Sequence, residues 1–278
     1  MLLIGAGGVG NAFAKIAARR ASFEAVTVAD YDVGRAERVA QAAGAGFSAA
    51  GVDATDERAI LDLIQHSRCD AVLNAVDPRF VMPIFRAALA GGVTYLDMAM
   101  SLSHPDPEAP YRKTGVMLGD EQFALASTLE ERGLLALVGI GVEPGLSDVF
   151  ARHAAHHLFS TLDEVGVRDG ANVVIDGYDF APTFSIWTTI EECLNPPVIW
   201  ERDRGWYTTE PFSEPEEFAF PGGIGTVTCV NVEHEEVLLM PRWLDVGRVT
   251  FKYGLSDDFI DVLKTLRRLG LDLSLIHI

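Results

Sequence analysis

The stretch that decides the fold is Met1-Leu-Leu-Ile-Gly-Ala-Gly-Gly-Val-Gly10, followed directly by Asn11-Ala-Phe-Ala-Lys-Ile-Ala-Ala-Arg-Arg20. A short apolar strand leads into Gly-x-Gly-x-x-Gly, and a helix-forming run follows it. In this spacing Gly5 allows a tight turn, Gly7 lets the backbone approach a pyrophosphate, and Gly10 lets the helix pack on the sheet. The stretch therefore predicts a strand–turn–helix unit whose helix N-terminus faces an anion.

An acidic residue stands at the distance from this motif that a dinucleotide site requires. Asp30 ends the second apolar run, twenty positions after Gly10. A carboxylate there binds the ribose 2′-hydroxyl of NAD and repels the 2′-phosphate of NADP, so we expect NAD; NADP stays an alternative because Arg35 offsets part of that repulsion. The expected cofactor site contains Gly5, Gly7, Gly8, Val9, Gly10 and Asp30. The other interpretation is a glycine-rich turn that binds nothing.

The composition limits the partners and the compartment. The 278 residues suffice for two domains, and 49% are hydrophobic, as in soluble proteins. A net charge of -18 without a long basic run argues against nucleic acid, since an acidic surface repels phosphates. No apolar stretch would span a bilayer, and the start lacks the features of a signal peptide. Three scattered cysteines suit a reducing compartment, so we expect a cytoplasmic protein without membrane partners.

The first half of the chain alternates predicted strands and helices, and the second half does not. The early strands are almost continuously apolar, which predicts a parallel, doubly wound sheet, with its third strand in Gly51–Asp56 and one long helix over Asp120–Arg132. Later strands alternate with period two, and Glu210–Phe220 is predicted to be a surface loop. We therefore predict an α/β domain at residues 1–145 and an α+β domain with a mixed or antiparallel sheet at residues 146–278.

Further candidates follow from where ligands bind in such a sheet. They bind outside the carboxyl ends of the strands, and this rule selects the turn after strand four, Asp97, and the loop Gly141–Ser147. From these we add Asn74, Ala75, Val76 and Gly141 to the expected cofactor site. A simple turn role for Asn74 is left open. The loop places Glu143 beside the N–H groups of the next helix, which Ser147 or Asp148 would cap; a plain strand-to-helix connection is the alternative.

These segments resemble the saccharopine dehydrogenase family of NAD(P)-dependent amino-acid oxidoreductases. The resemblance rests on Gly5–Gly10, Asp70–Val76, Thr94–Asp97 and Gly141–Gly145, and continues through Phe184–Trp200 and Glu233–Tyr253. It implies a Rossmann domain, a second α+β domain, a homodimer, and hydride transfer at a C–N bond of an amino acid such as saccharopine. Carboxynorspermidine synthase-type and lysine 6-dehydrogenase-type enzymes are alternatives, as is a non-catalytic NAD(P) sensor. Family members are longer, so Leu273–Ile278 is interpreted either as the end of a truncated chain or as a short terminal strand.

Hydride transfer to an imine requires a proton donor, and the reverse reaction requires a base. We expect Asp97, Glu143 and His234 to be the candidates, with Lys252 and Tyr253 as further substrate contacts. Carboxylates beside His234 would raise its pKa, although an exposed strand-end histidine is the other interpretation. The family has Asp where Glu143 stands, and Phe184–Thr188 lacks the family's Pro and Arg. Replacement guanidiniums for a substrate carboxylate are Arg202, Arg204, Arg242 and Arg248.

Two histidine patterns resemble metal sites only in part. His153 and His157 are four residues apart on a predicted helix, with His156 adjacent, but no third ligand follows from the sequence. The segment His234-Glu-Glu also lacks the usual ligand spacing. We therefore predict no metal, and a small amino-acid substrate as the partner.

Overall fold

The computed structural model describes residues 1–171, 175–177 and 185–272, which divide into two compact units. The first unit comprises Met1–Leu102 and Gly119–Val142; the second comprises Ser103–Leu118 and the chain from Glu143 onward. The structure thus groups Glu143–Gly145 with the second unit. The domain boundary after residue 145 stays a prediction.

The first unit is built on a parallel six-stranded sheet. Its strands are β1 (Leu2–Ile4), β2 (Val26–Asp30), β3 (Phe47–Gly51), β4 (Ala71–Asn74), β5 (Thr94–Asp97) and β6 (Ala136–Leu137). Its helices are α1 (Gly8–Ala17), α2 (Val33–Ala43), α3 (Glu57–Ser67), α4 (Val81–Gly91), α5 (Asp120–Phe123) and α6 (Ala126–Glu131). The strand order β3-β2-β1-β4-β5-β6 reverses direction between β1 and β4. This order confirms the predicted doubly wound α/β fold.

Strand β1 shows why the sheet is covered on both faces. Leu2 and Ile4 pack into one buried cluster together with Ile60, and Leu3 packs into another together with Val28. All three strand residues are at most 1% exposed. Because successive side chains point to opposite faces, an apolar run without alternation requires a core on each side. Each of these side chains contributes about 1.5–3 kcal/mol through its burial.

The second unit is built on a mixed sheet, as predicted. Its strands are β7 (Leu162–Asp169), β8 (Val198–Glu201), β9 (Gly205–Thr208), β10 (Glu216–Phe220), β11 (Gly225–Asn231) and β12 (Val246–Gly254). Its helices are α7 (Leu146–His157), α8 (Ile186–Leu194), α9 (Glu236–Trp243) and α10 (Asp257–Leu269). The order is β10-β11-β12-β8-β9, and β7 pairs with β12 in parallel. Strand β12 is therefore the centre of this sheet.

The helices of the described residues are short. The longest, α10, has 13 residues, whereas a bilayer-spanning helix needs about 20 apolar residues. Within the described part of the chain, no helix is both long and apolar enough to cross a membrane.

Four element predictions are corrected by the structure. The third strand is β3, because Phe47 to Gly51 pair one by one with β2, rather than Gly51–Asp56. The predicted helix Asp120–Arg132 is interrupted at Leu125, whose ψ of 4° leaves the helical range, so α5 and α6 are separate. Strand β10 lies inside the predicted loop Glu210–Phe220, and α9 was not predicted. Phe184 and Leu273–Ile278 lie outside the described residues.

Candidate functional site

Two glycines of the opening motif have no room for a side chain. Gly5 has a φ of +106°, and a Cβ there would lie 2.4 Å from the carbonyl oxygen of Ala75. A Cβ on Gly10 would lie 1.9 Å from the carbonyl oxygen of Gly5. The backbone N–H of Gly5 also donates to Ala29 at 2.8 Å. These close approaches hold β1, β4 and α1 together and explain the first and last glycines of the motif.

The middle of the motif is open instead. Gly7 is the N-cap of α1, and a Cβ on Gly7 or Gly8 would meet no atom within 4 Å. Val9 is exposed, and no acidic residue lies in the first turn of α1. The N–H groups at this helix start therefore face open space with no carboxylate of the first turn competing for them. This arrangement fits a phosphate.

Asp30 lies beside the motif, at the carboxyl end of β2. Its Oδ2 accepts from the N–H of Ala6 at 2.8 Å, and its Oδ1 accepts from the N–H of Asp32 at 2.9 Å. An Nη1 of Arg35 lies 3.6 Å from Oδ1. The nearly buried carboxylate thus ties the glycine loop to β2, and Arg35 partly neutralises its charge.

The turn after β4 contacts the glycine loop at the point where the strand order reverses. Ala75 donates its N–H to Ile4 at 2.8 Å. Asn74 accepts from the N–H of Val76 at 3.1 Å and donates to the hydroxyl of Tyr95 at 3.1 Å. Asn74 therefore shapes the turn, whereas Ala75 and Val76 lie against Gly5.

Asp97 is buried and bonded within the first unit. Its Oδ1 accepts from the N–H of Gly139 at 2.7 Å, and its Oδ2 accepts from Nε2 of Gln122 at 2.8 Å. Its carbonyl accepts from Ile140, immediately before Gly141, which is half-buried. These bonds make Asp97 the support of the loop after β6. Its predicted catalytic role is not tested by them.

The second unit brings six ionisable side chains together, which we call the acid cluster: Glu143, Asp169, Glu192, His234, Glu236 and Tyr253. At its centre, Nδ1 of His234 contacts a carboxylate oxygen of Glu236, and both residues are buried. The hydroxyl of Tyr253 lies 3.4 Å from Nε2 of His234 and donates to Glu192 at 3.2 Å. The alternative interpretation of His234, an exposed histidine at the end of a strand, is therefore wrong.

Burial and neighbouring charges shift the pKa values of several groups in this cluster away from their ordinary values. Burial, and then the charge and hydrogen bond of Asp169, raise the pKa of Glu143 to about 7. Burial raises the pKa of Glu192 to about 8. For His234, burial acts to lower the pKa, but Glu236 and the neighbouring glutamates outweigh it and hold the imidazole protonated. The cluster thus contains groups that exchange protons near neutral pH.

The loop that follows Glu143 supports the cluster. Asp148 accepts from the N–H of Gly145 at 2.9 Å and so caps α7, one of the two predicted caps. Ser147 instead donates its hydroxyl to Glu236 at 2.9 Å. Burial raises the pKa of Asp148 to about 6. The loop is therefore more than a connection, because it fixes the carboxylate that holds His234.

The predicted cationic candidates contact other groups. Lys252 lies on the opposite face of β12 from Tyr253 and donates to Glu216 at 3.0 Å. Two of the arginines form salt bridges, Arg202 with Asp245 and Arg248 with Glu214. Arg204 lies over the ring of Tyr207, and Arg242 donates to the carbonyl of Leu238. None of these partners belongs to the acid cluster.

One group of described residues has metal-like proximity. The ligand atoms of His234, Glu235 and Glu236 all lie within 4.8 Å of one another, although the sequence spacing is not that of a metal site. The protonated imidazole already pairs with Glu236 at this point, so we assign these residues to the acid cluster. On α7, the rings of His153 and His157 lie 4.6 Å apart, as their spacing predicts.

Four members of the cluster were not predicted to be catalytic from the sequence. Asp169 and Glu192 were not candidates, Glu236 was considered only as a carboxylate near His234, and Tyr253 was considered only for substrate contact. Their positions depend on the pairing of β7 with β12 and on the packing of α8, which no local pattern reveals. The usable signal was the period-two alternation of β12, which places Tyr253 and Phe251 on one face.

Comparison with known proteins identifies relatives of this chain. Residues 1–137 match the family model of the saccharopine dehydrogenase NADP binding domain. Carboxynorspermidine synthase from Vibrio alginolyticus is 29% identical over 98% of this chain. Residues 1–137 therefore belong to the family of saccharopine dehydrogenase NADP binding domains. Its first unit is accordingly an NAD(P)-binding domain, which the open start of α1 and the position of Asp30 fit.

Other family relatives agree with this placement. Carboxyaminopropylagmatine dehydrogenase from Synechocystis is 26% identical over 98% of this chain. The chain spans 66% of the length of each of these curated relatives. The solved apo saccharopine dehydrogenase (L-Glu forming) from Saccharomyces cerevisiae has a TM-score of 0.68 at 16% identity, covering 98% of this chain and 58% of that one. It therefore has the same fold.

Proposed function

We propose that this protein is an NAD(P)-dependent oxidoreductase that transfers a hydride at the C–N bond of an amine or amino acid. The family assignment and the NAD(P)-binding domain support the redox chemistry. The observation that carries the proposal is the acid cluster, because a carboxyl with a pKa of about 7 at a half-buried position suits acid–base work at neutral pH. A non-catalytic sensor needs no such group.

The chain's own residues supply the acid–base part of this chemistry. When bound, the nicotinamide supplies or accepts the hydride. Condensation of an amine with a carbonyl compound loses water, so the departing hydroxyl must receive a proton, and the attacking nitrogen must release one. Glu143 can donate in its protonated form and accept in its ionised form close to neutral pH. Asp169 contributes to this behaviour, because its charge and its hydrogen bond raise the pKa of Glu143.

The charge of the cluster favours a cationic amine over carboxylate-rich saccharopine. Four of its six members are carboxyl groups, and His234 is its one basic member. The arginines expected to hold a substrate carboxylate have recorded partners elsewhere. Relatives at 26–29% identity bear names of polyamine-type enzymes. We therefore place a carboxynorspermidine synthase-type substrate, a diamine with a carbonyl partner, ahead of saccharopine and of lysine 6-dehydrogenase-type oxidation.

The remaining roles are part of the same proposal. Gly7, Gly8 and Val9 bind the pyrophosphate, and Asp30 favours NAD; Ala75, Val76 and Gly141 line the cofactor. Asp97 supports this site from within the first unit. A homodimer and a cytoplasmic location stay predictions.

The test is oxidation of NADH and NADPH by the full chain, followed by absorbance, with primary diamines paired with aldehydes or 2-oxo acids. Saccharopine with oxidised cofactor is assayed in parallel. We expect turnover with a diamine pair, and a loss of about 100-fold in kcat for Glu143→Gln. Glu164→Gln, an exposed glutamate on β7, is the matched control and should retain its activity. Cofactor binding without turnover of any pair would refute the catalytic proposal.

A further inference from the structure

We propose that Tyr253 is a catalytic residue that relays a proton from His234 to the reacting substrate, with Glu236 as the positioning residue that holds His234. This inference rests on the proposed function, since it assigns the route of the proton in that reaction. It is carried by a series of contacts that runs from the buried interior of the second unit to Tyr253, a half-buried residue.

The inner end of the series is fixed by contacts on every side. Glu236 is completely buried, and it accepts from Ser147 at 2.9 Å while its other oxygen contacts Nδ1 of His234. The imidazole also stacks on Phe251, with ring centres 3.7 Å apart and planes only 7° from parallel. With Nδ1 and the ring plane both fixed, Nε2 points in one direction, toward Tyr253.

The outer end of the series is the hydroxyl of Tyr253. It accepts from Nε2 of His234 at 3.4 Å and donates to Glu192 at 3.2 Å. The Tyr253 ring meets those of His234 and Phe251 edge to face, at 5.8 Å and 4.9 Å. Tyr253 and Glu192 are half-buried, whereas His234 and Glu236 are buried. Tyr253 is therefore the residue that connects the buried imidazole to a partly exposed position.

The alternation of side chains along β12 explains why Tyr253, and not a neighbouring residue, relays the proton from His234. Lys252 and Thr250 contact Arg168 or its partner Glu216 on the other face of the sheet. Val249 and Phe251 share the face of Tyr253 but have no polar atom in their side chains. Tyr253 is thus the residue of β12 through which His234 can reach a substrate.

The proton movement balances without a free phenolate. As the phenolic proton of Tyr253 moves to the departing hydroxyl of the substrate, which leaves as water, the proton on Nε2 of His234 moves to the phenolic oxygen. The imidazole becomes neutral; protonated Glu192 then returns a proton to it through the same hydroxyl, and the Glu192 carboxylate takes up a proton from water before the next cycle. Burial, and then Glu192, raise the pKa of Tyr253 far above its usual range, which disfavours a separate phenolate and favours this concerted movement.

The ionisable groups that influence this pair come from several elements of the second unit. They are Glu143, Asp169, Glu192, Cys193, Glu235 and Glu236. The pH profile of a Tyr253 variant must therefore be compared with that of a protein that retains these six groups. Tyr253→Phe satisfies this condition because it removes one hydroxyl and retains the ring.

The experiment measures kcat, KM and the affinity for NAD(P)H with the full chain and a productive substrate pair. We expect Tyr253→Phe to lower kcat by about 100-fold or more, with the affinity for NAD(P)H and the KM for the amine within threefold of wild type. Tyr207→Phe is the matched control, because its hydroxyl bonds to Glu201 on β8. It should retain kcat.

A second variant separates the relay from simple loss of folding. The double variant His234→Gln with Glu236→Gln removes the proton source together with the carboxylate that contacts its Nδ1, and it retains Tyr253. It should lose kcat as Tyr253→Phe does, with the affinity for NAD(P)H within threefold of wild type, and adding Tyr253→Phe to it should cause little further loss of kcat. A Tyr253→Phe enzyme with kcat within threefold of wild type would overturn the relay and leave the proposed function intact. A wild-type chain that turns over no pair would instead overturn the proposed function.

Discussion

Asp30 uses both carboxylate oxygens within the first unit, and this affects what it can do for a cofactor. The bonds to Ala6 and Asp32 fix its position at the end of β2, while the Arg35 guanidinium lies 3.6 Å away. Its negative charge still acts on any group bound at the neighbouring glycine loop. We therefore expect the charge to favour NAD, and Arg35 to reduce the difference between NAD and NADP.

Asp30→Asn should change this preference. We expect the ratio of NADPH to NADH affinity to rise about tenfold, because the substitution removes the charge that repels a 2′-phosphate. Overall stability should fall by about 1 kcal/mol, since an amide accepts only through its single oxygen. Fluorescence titration with both reduced cofactors measures the ratio. Asp53→Asn, which changes a carboxylate bonded to Thr55, is the control; an unchanged ratio in Asp30→Asn would show that Asp30 does not select the cofactor.

Glu143 should make stability depend on pH. Its pKa rises from 4.5 to about 7 on folding, so the folded state binds this proton more tightly. The resulting stabilisation is complete below pH 4.5 and is lost as the pH rises through 7. Glu143→Gln should therefore be more stable than wild type at pH 8, by about 1 kcal/mol after allowance for its half-exposed position, and the difference should vanish near pH 4.5. Denaturant melts at both values test this, and the same gain in Glu164→Gln would count against it.

At the residue scale, part of the candidate site could be predicted from the sequence. The glycine spacing and Asp30 were predictable because a dinucleotide imposes both on one short segment. His234 was visible through its glutamate neighbours. Glu192 and Tyr253 lie 61 residues apart in the chain and meet only through tertiary packing, so no local signal joins them.

At the scale of elements, the four glycines of the first strand–turn–helix unit have two different roles. Gly5 and Gly10 leave no space for a Cβ, whereas Gly7 and Gly8 face open space. The former pair fixes the packing of α1 against the sheet. The latter pair leaves the start of α1 accessible.

Alanine substitutions should separate these two roles. Gly10→Ala should reduce stability by about 2 kcal/mol or more, because its Cβ would lie 1.9 Å from a backbone oxygen. Gly8→Ala is the matched control in the same helix turn and should leave the melting temperature unchanged while weakening NAD(P)H binding. Thermal melts and titrations of both variants measure the difference. Equal melting temperatures would contradict the packing role of Gly10.

Elements with a clear period were predictable, and those defined by tertiary contacts were not. The strand before Gly5 and the helix after the glycine motif were both predicted, and they are β1 and α1 in the structure. Helix α9 was missed because Val237–Met240 is buried on every side, so it lacks a polar face from which to recognise a helix. Strand β10 was missed because its charged residues are those of a loop, and only its pairing with β11 makes it a strand.

At the scale of the whole molecule, net charge and cofactor binding should act on stability in separate ways. The net charge of -18 implies self-repulsion that salt screens. Cofactor binding adds stability only by mass action on the folded state. Both effects are measurable on the full chain.

Saturating NAD(P)H should protect the first unit from hydrogen exchange. At a concentration of 100 times Kd the added stability is about 2.7 kcal/mol. We expect the slowed amides to include those of the glycine loop and of Ala75, because we propose that the cofactor binds there. Hydrogen-exchange mass spectrometry with and without cofactor measures this. Protection confined to β7 and β12 would place the cofactor elsewhere.

The parallel pairing of β7 with β12 has a consequence for the newly made chain. Leu162 pairs with Val246, and Asp169 with Tyr253, so β7 leaves the ribosome long before its partner strand exists. During translation the edge of β7 that pairs with β12 stays unpaired until β12 has been synthesised. An unpaired strand edge favours aggregation with other nascent chains. Slowing elongation ahead of Val246 should therefore increase aggregation of nascent chains or their capture by chaperones, whereas the same pause after Gly254 should not.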